Sequence, residues 1–482
     1  MTFVPAISLA AKNWTPAKAF LFLSLALGLA YTVINPPYAV NDEDRHLARV
    51  FELASGRLFT RYDKDGQYHD MPREYVWFAN RYVRMRQRDG GRIQVPVLMH
   101  ELAMPRSGDL VHYKGAAGLY APLMYLPHIP AVWISTHLNL PCIWDLYLAR
   151  IAGFVLYSLV AWQAVRIAGP LQWIFIALGL MPMSIIEAAG VDGDSVINAL
   201  ALLFFALLAR RALVTRTRPP KAESAAFVGI VVAVTLCKPV YVVLALALPV
   251  LCWQGPRARL YRWMLPAVSV VAALLVYSIW MGANPYVENW NSALRGGALS
   301  RSPTGQLMWL LEHPWEGIKV AATTLVKYGK DMAMEFVAIR YGLTRSMRYS
   351  GGALFVWYTW LLLGLAWGAA RQLVETNARR WNAARWMFAC WLAGVGAVAF
   401  TLYATYTHVG ASEIRGLQGR YFIPVAPALL LGLALVGRPT LSRWLTTRHE
   451  RAVWIAIGCM HGAVLFTMIG WSYFSPDANW PY

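Results

Sequence analysis

Charge is scarce in this sequence. Only 14% of its 482 residues are Asp, Glu, Lys or Arg, whereas 58% are hydrophobic and mean hydropathy is +0.41. That excludes a disordered chain or an ordinary soluble domain. Repeated apolar runs of spanning length read instead as an all-α polytopic membrane protein. Acids are the rarer sign, 25 against 44 bases, for a formal charge of +19. In a soluble protein such an excess would point to nucleic acid. Here most of it lies in short loops between spans, so positive-inside topology explains it and no nucleic-acid partner is expected.

Cysteine is also sparse: Cys142, Cys237, Cys252, Cys390 and Cys459 are scattered, mostly within apolar runs. No CxxC or metal-ligand spacing joins them, so they read as small core residues. There is no G-x-S-x-G and no P-loop. His100-Glu101 begins an HExxH motif, but Met104 stands where the second histidine is required. His408 and His461 are lone histidines and read as structural. Long low-complexity segments and internal repeats are absent too.

What is present begins at the amino end. Lys12 and Lys18 come before a long apolar run without a convincing cleavage site, which reads as a retained first span at 17–35. Immediately after it comes NPPYAVNDEDRHLARVFELASGRL, residues 35–58, with Asp42, Glu43, Asp44 and Arg45 where the chain should leave the bilayer. His46 follows, and then Leu47, Val50, Phe51 and Ala54 share one helical face that Gly56 is placed to close. The polar region beyond is about eighty residues long, too long for a connection, and is expected to form a small extramembrane unit. RYVRMRQR and RIQVPVL alternate on either side of Asp89-Gly90-Gly91, which predicts a hairpin over 82–98. The Arg84, Arg86, Arg88 row would then be either a solvated strand face or a seat for an anionic head group.

Further spans read at 146–168, 171–188, 195–213, 225–237, 239–253, 263–283, 352–370, 386–408, 421–437 and 452–473. The segment 118–138 is apolar enough to cross but carries Pro122, Pro127 and Pro130. Basic connections occur at 209–221, 255–262, 371–385 and 438–451. They share one side only if 118–138 does not cross and 225–253 is two short crossings broken at Lys238-Pro239. That gives about 11 transmembrane helices, with juxtamembrane helices and loops on the outer face. Two modules are expected, 1–253 with outer loop 36–145 and 254–482 with outer loop 284–350, helical from Pro303.

This topology brings Asp42 and Glu43, Asp192 and Asp194 of GVDGDSV, Lys238 and Arg420 of LQGRYFIP to one rim. Charged groups at membrane depth are costly and tend to mark function. Each also has an ordinary reading: Asp194-Ser195 as a helix cap, Lys238 as a snorkelling side chain, Arg420 as an interface anchor. Carboxylates beside cations suit group transfer from a lipid phosphate. A carboxylate takes the proton of an attacking hydroxyl, and Lys and Arg stabilise charge on the departing phosphate.

The order PPYAVNDEDRHLARVFELASG, GLYAPLMYLP, YLARI, LMPMSIIEAAGVDGDSVINALALLFFALL, CKPVYVVLALALPVL, EHPWEGIKV, LQGRYFIPVAPALLL resembles the bacterial DUF2142 membrane family over about 36–430. That family is itself similar to the GT-C superfamily of lipid-phosphate-sugar glycosyltransferases. The resemblance implies a GT-C-like fold in a bacterial inner membrane, with a periplasmic active site that moves a sugar from a polyprenyl-phosphate donor to a glycan or lipid acceptor. By the same resemblance Asp42 is the base with Glu43 beside it, and Asp194 is a second acidic site with Asp192 as its neighbour. Lys238 contacts the donor phosphate, Arg45 lies near it, and 118–138 is a juxtamembrane helix. Arg420, His46 and Tyr120 join the substrate-binding candidates. The chain departs from the aminoarabinose-transferase pattern at His46, where Tyr is common, at the third acid Asp44, and at DGD. Donor, acceptor and metal dependence therefore stay open. A divalent cation, Mg²⁺ or Mn²⁺, would use Asp42 and Asp194. Two other functions are compatible with the same residues: a flippase of lipid-linked sugars, and a non-catalytic subunit of a polysaccharide-assembly complex.

Overall fold

The computed structural model describes residues 15–63, 66–87, 93–114, 117–251, 258–284, 302–337, 351–369, 377–437 and 447–474. The first span is α1 (Pro16–Ile34), with Thr15 capping it through the Lys18 N–H. After Pro36-Pro37 the chain turns into α2 (Glu43–Ala54), whose buried face is Leu47, Val50 and Phe51. An extramembrane unit follows. Strands β1 (Arg61–Asp63), β2 (Gly66–Pro72) and β3 (Leu110–Lys114) form an antiparallel sheet in that order, with Arg61 opposite Tyr68 and His69 opposite Tyr113. Between β2 and β3 lie α3 (Arg73–Gln87) and α4 (Val95–Ala103).

The expected hairpin at 82–98 is therefore wrong. Residues 88–92 lie outside the described residues, but both flanks are helical. The apparent alternation in RYVRMRQR is the end of a longer helical period in which Tyr75, Phe78, Ala79 and Tyr82 are buried at helical spacing. Arg84 is exposed on α3, so no strand carries an arginine row. The Tyr82 hydroxyl donates to Glu101, which also faces Arg81 Nη1 at 3.3 Å. The HExxH-like glutamate thus braces α3 against α4.

Residues 118–138 form a 3₁₀ turn (Pro122–Tyr125) and α5 (His128–His137). Ten residues of α-helix reach about 15 Å, half of a hydrocarbon core, so α5 is too short to cross one. The helices α6 (Ile143–Ala168), α7 (Gln172–Gly179) and α8 (Pro182–Ala188) pack with α1, and α9 (Asp194–Ala209) packs against α6. The Ser24 and Ser158 hydroxyls meet at 2.7 Å between α1 and α6. α9 is buried nearly all round. The expected span 171–188 is broken before Pro182. The four carbonyls at the break accept side-chain hydrogen bonds: Ala177 from Tyr358, Leu178 from Ser184, Gly179 from Tyr157 and Leu180 from His461. A helix end inside a membrane has no water to satisfy it, so such partners are obligatory.

α10 (Lys221–Cys237) ends at Lys238, which is extended, and Pro239–Val250 continues as a 3₁₀ helix. The break at Lys238-Pro239 is where the sequence placed it. At about 2 Å rise per residue, this stretch covers about 24 Å rather than the 18 Å an α-helix would. α11 (Ala258–Ala283) turns Leu260, Val271, Leu275 and Ile279 outward. α12 (Pro303–Glu312) and α13 (Pro314–Val337) are helical from Pro303 as expected. α14 (Gly351–Ala369), α15 (Asn377–Thr405), a 3₁₀ segment (Gly419–Val425), α16 (Ala426–Val436) and α17 (Thr447–Phe474) complete the chain.

Seven helices among the described residues are long and apolar enough to cross a membrane, Pro239–Val250 is a shorter apolar helix, and residues 355–366 are an apolar stretch within α14. The protein is an all-α polytopic membrane protein with a small sheet outside its helical bundle. Cys142, Cys237 and Cys390 are buried, Cys459 is exposed, and all four are free; Cys252 lies outside the described residues.

Candidate active site

Asp42 stands at the N-terminus of α2, the position at which a carboxylate ordinarily caps a helix. It does not cap this one. Its backbone is left-handed (φ 55°) and its side chain makes no capping hydrogen bond, while its carbonyl accepts the Arg45 and His46 N–H groups. Left-handed backbone is uncommon outside glycine, and Asp and Asn are among the few side chains that tolerate it. The carboxylate is left 54% exposed, with Arg45 Nη1 at 3.7 Å.

Glu43, one residue on, points the other way. It is fully buried, accepts from Arg150 Nε at 2.8 Å and Nη2 at 2.6 Å, and also takes the Val191 N–H at 3.0 Å. It therefore does not reach the open side with Asp42. Asp44 is likewise spoken for, because the Tyr113 hydroxyl donates to its carboxylate and Tyr75 to its carbonyl.

The second acidic site is built on the turn before α9. Asp192 Oδ1 accepts the N–H groups of Asp194 and Ser195 at 3.0 and 3.2 Å. Asp192 thus satisfies the helix start, and the Asp194 carboxylate is free to bind Lys238 Nζ. Arg420 Nη1 lies 3.6 Å from Asp194 and 4.0 Å from Asp192, and donates to both oxygens of Glu187 at 3.1 Å. Gln418 accepts from Arg420 Nε at 2.7 Å. The Tyr421 ring lies 4.8 Å from Lys238 Nζ and 5.2 Å from the Arg420 guanidinium, and the Tyr241 hydroxyl holds the Tyr421 carbonyl at 2.9 Å. Burial, then the neighbouring Glu187 and Asp194, pushes the Asp192 carboxyl well above the usual carboxylate range.

His46 joins the two halves. Its Nδ1 is 2.7 Å from the Tyr125 hydroxyl and its ring lies 5.5 Å from Tyr120. Burial lowers its pKa to about 4 against the pull of Asp42 and Asp194, with Lys238 and Arg420 acting alongside burial. The imidazole is therefore neutral at physiological pH. Tyr120 lies within the fields of the same Lys238, Asp194 and Asp42. The fold thus gathers Asp42, His46, Tyr120, Asp192, Asp194, Lys238 and Arg420 around one site. Among the described residues, Arg45 pairs with Asp42 and is not brought to Lys238 or Arg420 by any ion pair or hydrogen bond.

Sequence reasoning missed Glu187, Arg150, Tyr421 and Tyr125. The first two carried a usable signal, each being a lone charge in an apolar run, IIEAAG and LARIAG. The tyrosines carried none, since aromatic residues are plentiful at every interface.

Glu187, Asp192 and Asp194 offer oxygens within 4.8 Å of one another, a spacing that suits a cation. The donor set nevertheless does not fit a divalent ion. Both Glu187 oxygens are on Arg420, Asp194 holds Lys238, and one Asp192 oxygen is on backbone amides. An ion there would sit against a guanidinium and an ammonium that already neutralise the acids. Asp42 is not part of this triad.

An apolar cavity of about 610 Å³ is bounded by α13–α16 and by Leu417 and Phe422, which flank Arg420 and Tyr421 in the chain.

A family model described as predicted membrane protein (DUF2142) matches residues 25–429. No curated protein and no solved structure matches the chain.

Proposed function

The chain therefore belongs to the DUF2142 family of membrane proteins, and from that premise we propose that it is an inverting, GT-C-type glycosyltransferase. It takes a sugar from a polyprenyl-phosphate donor and passes it to a cell-envelope acceptor at the periplasmic face of a bacterial inner membrane. The observation that carries this reading is the pairing of Lys238 and Arg420, held by buried acids, in a fold that also has an open carboxylate at Asp42 and an apolar cavity lined by Leu417 and Phe422, which flank Arg420 in the chain. A lipid phosphate needs both environments, cations for its head and an apolar trough for its tail.

In this reaction the acceptor hydroxyl oxygen attacks the anomeric carbon, and its proton passes to the Asp42 carboxylate. The bond from that carbon to the phosphate oxygen breaks, and the electron pair leaves with the phosphate. Lys238 and Arg420 stabilise the charge that develops there, and they are positioned before the reaction begins. Neutral His46, held by Tyr125, serves as a hydrogen-bonding group for the sugar. No step requires a metal.

The test is sugar transfer in nanodiscs from a panel of polyprenyl-phosphate monosaccharides, with and without a chelator. Wild type should release free polyprenyl phosphate, and Asp42→Asn should lower kcat by at least about 100-fold, the ordinary worth of a general base, while staying folded. Full activity of Asp42→Asn removes Asp42 as the base. Donor binding without release from any donor favours a flippase of lipid-linked sugars.

A further inference from the structure

We propose that Arg150 is a positioning residue that sets the Asp42 base in register with the Asp192–Asp194 turn, acting through Glu43. Its kinetic test rests on the transferase reading above; its structural test does not.

Arg150 lies on α6 and is fully buried. Its guanidinium grips the two oxygens of Glu43 and, with its remaining N–H groups, the chain that leads to Asp42. Nη1 donates to the carbonyls of Asn35 at 2.8 Å and Thr32 at 3.3 Å, and Nη2 to that of Pro36 at 2.9 Å. The Thr32 and Asn35 carbonyls belong to the end of α1, where no helical N–H is available, and the Pro36 carbonyl of the exit turn also accepts the Ala39 N–H at 3.1 Å. Prolines at 36 and 37 remove two further backbone donors from the turn. The arginine thus fixes both ends of the segment 32–43 from a single point.

The connection continues beyond α2. Glu43 Oε1, already held by Arg150 Nε, also accepts the Val191 N–H. Glu43 is the neighbour of Asp42, and Val191 is the neighbour of Asp192, which in turn seats Asp194. One carboxylate therefore ties the loop bearing the base to the turn bearing the acid that holds Lys238. Cohesion alone needs no such arrangement, because a buried ion pair is commonly replaceable by apolar side chains of similar volume. A forked guanidinium with several fixed acceptors defines distance and angle as well. Lysine lacks that fork and acts as a point charge.

Two kinds of measurement test the assignment, on the full-length protein in nanodiscs. Arg150→Lys keeps the charge and loses the fork. Its kcat should fall about 100-fold, the effect of a misplacement of about 1 Å, with the donor KM within about threefold of wild type. Glu43→Gln, which keeps the shape, should move the same parameter in the same direction and serves if Arg150→Lys does not fold. Hydrogen exchange should rise in peptides covering 32–45 and 189–195 and stay unchanged over 221–250. A purely cohesive role would lower kcat, affinity and thermal stability together and loosen exchange throughout the bundle, and that pattern overturns the proposal, as does a wild-type kcat in Arg150→Lys. If wild type transfers sugar from no donor, the exchange result decides alone. Local loosening then upholds the register role while the transferase reading falls, and unchanged or global exchange overturns the register role as well.

Discussion

Asp42 and Asp194 both begin helices, and neither spends its carboxylate on the helix. Asp42 avoids capping by adopting a left-handed backbone, and Asp194 because Asp192 does the capping for it. Their presence at the rim was legible from hydropathy and charge; this division of labour was not, because it depends on backbone angles that composition does not encode. Glu187 shows a second limit, since its partner Arg420 lies far away in the chain and only the packing of α8 against the 419–425 segment reveals the pair. Residue chemistry also governs the extramembrane unit. Glu52 is buried beneath β2 with Arg49, Thr60 and His69 around it, at 2.5, 2.7 and 3.3 Å. Burial opposes its charge, yet the His69 and Thr60 hydrogen bonds and the Arg49 guanidinium hold its pKa below the ordinary value of 4.5. A carboxylate lowered in this way gives stability that is full above its unfolded pKa and lost as pH falls through its folded value. Thermal stability in detergent should be level between about pH 8 and 5 on this account and decline below, and Glu52→Gln should lower the plateau and shallow the decline. An unchanged acid limb in Glu52→Gln would assign that limb to other carboxylates.

At the scale of elements, apolar periodicity located most helices of the bundle, and proline marked the Lys238-Pro239 break and the shortness of α5. It failed in the extramembrane unit. A seven-residue stretch at the end of α3 fits period 2 nearly as well as period 3.6, and only the buried set starting at Tyr75 separates them. Another element-level feature was invisible in the sequence, the close approach of the 419–425 segment to α13. A Cβ at Gly419 would lie 1.8 Å from the Met332 carbonyl oxygen and 2.5 Å from the Phe336 nitrogen, both backbone atoms. Gly419→Ala must push the segment off the helix and move Arg420 with it. It should cost about 1–3 kcal/mol of stability, as overpacking does, and weaken the donor KM. Gly458→Ala on α17 has nothing within 4 Å and should instead stabilise by about 0.5–1 kcal/mol. Thermal unfolding of both variants measures the contrast, and equal behaviour would show that the segment is free to shift.

For the whole molecule, charge bias gave a count of crossings that helix length does not reproduce. Seven stretches qualify among the described residues: α7 runs on from α6 and is interrupted before α8, α10 and Pro239–Val250 are short, and α14 is described through its side chains only over 355–366. A hydropathy count treats every apolar run as one helix. A folded bundle can bury interrupted ones, provided that side chains meet the freed backbone groups. The proposed orientation is open to direct test. In a background with the native cysteines replaced by alanine, an impermeant maleimide should label Asp109→Cys, an exposed position beside the sheet, in intact cells. Arg218→Cys, exposed in the basic connection before α10, should label only after permeabilisation. The reverse pattern would place the site on the cytoplasmic side.

The interrupted α7–α8 segment has a consequence for how the protein is made. The carbonyls from Ala177 to Leu180 accept from Tyr157, Ser184, Tyr358 and His461, so two of the four side-chain donors come from the carboxyl-terminal half, and His461 from the last helix described. During synthesis the break must wait, partly unsatisfied, until that helix is inserted. A nascent chain halted before α17 would carry an unmet carbonyl in its hydrocarbon interior, a defect that membrane quality control can sense. Completion of the chain is thereby written into the interior of its first half.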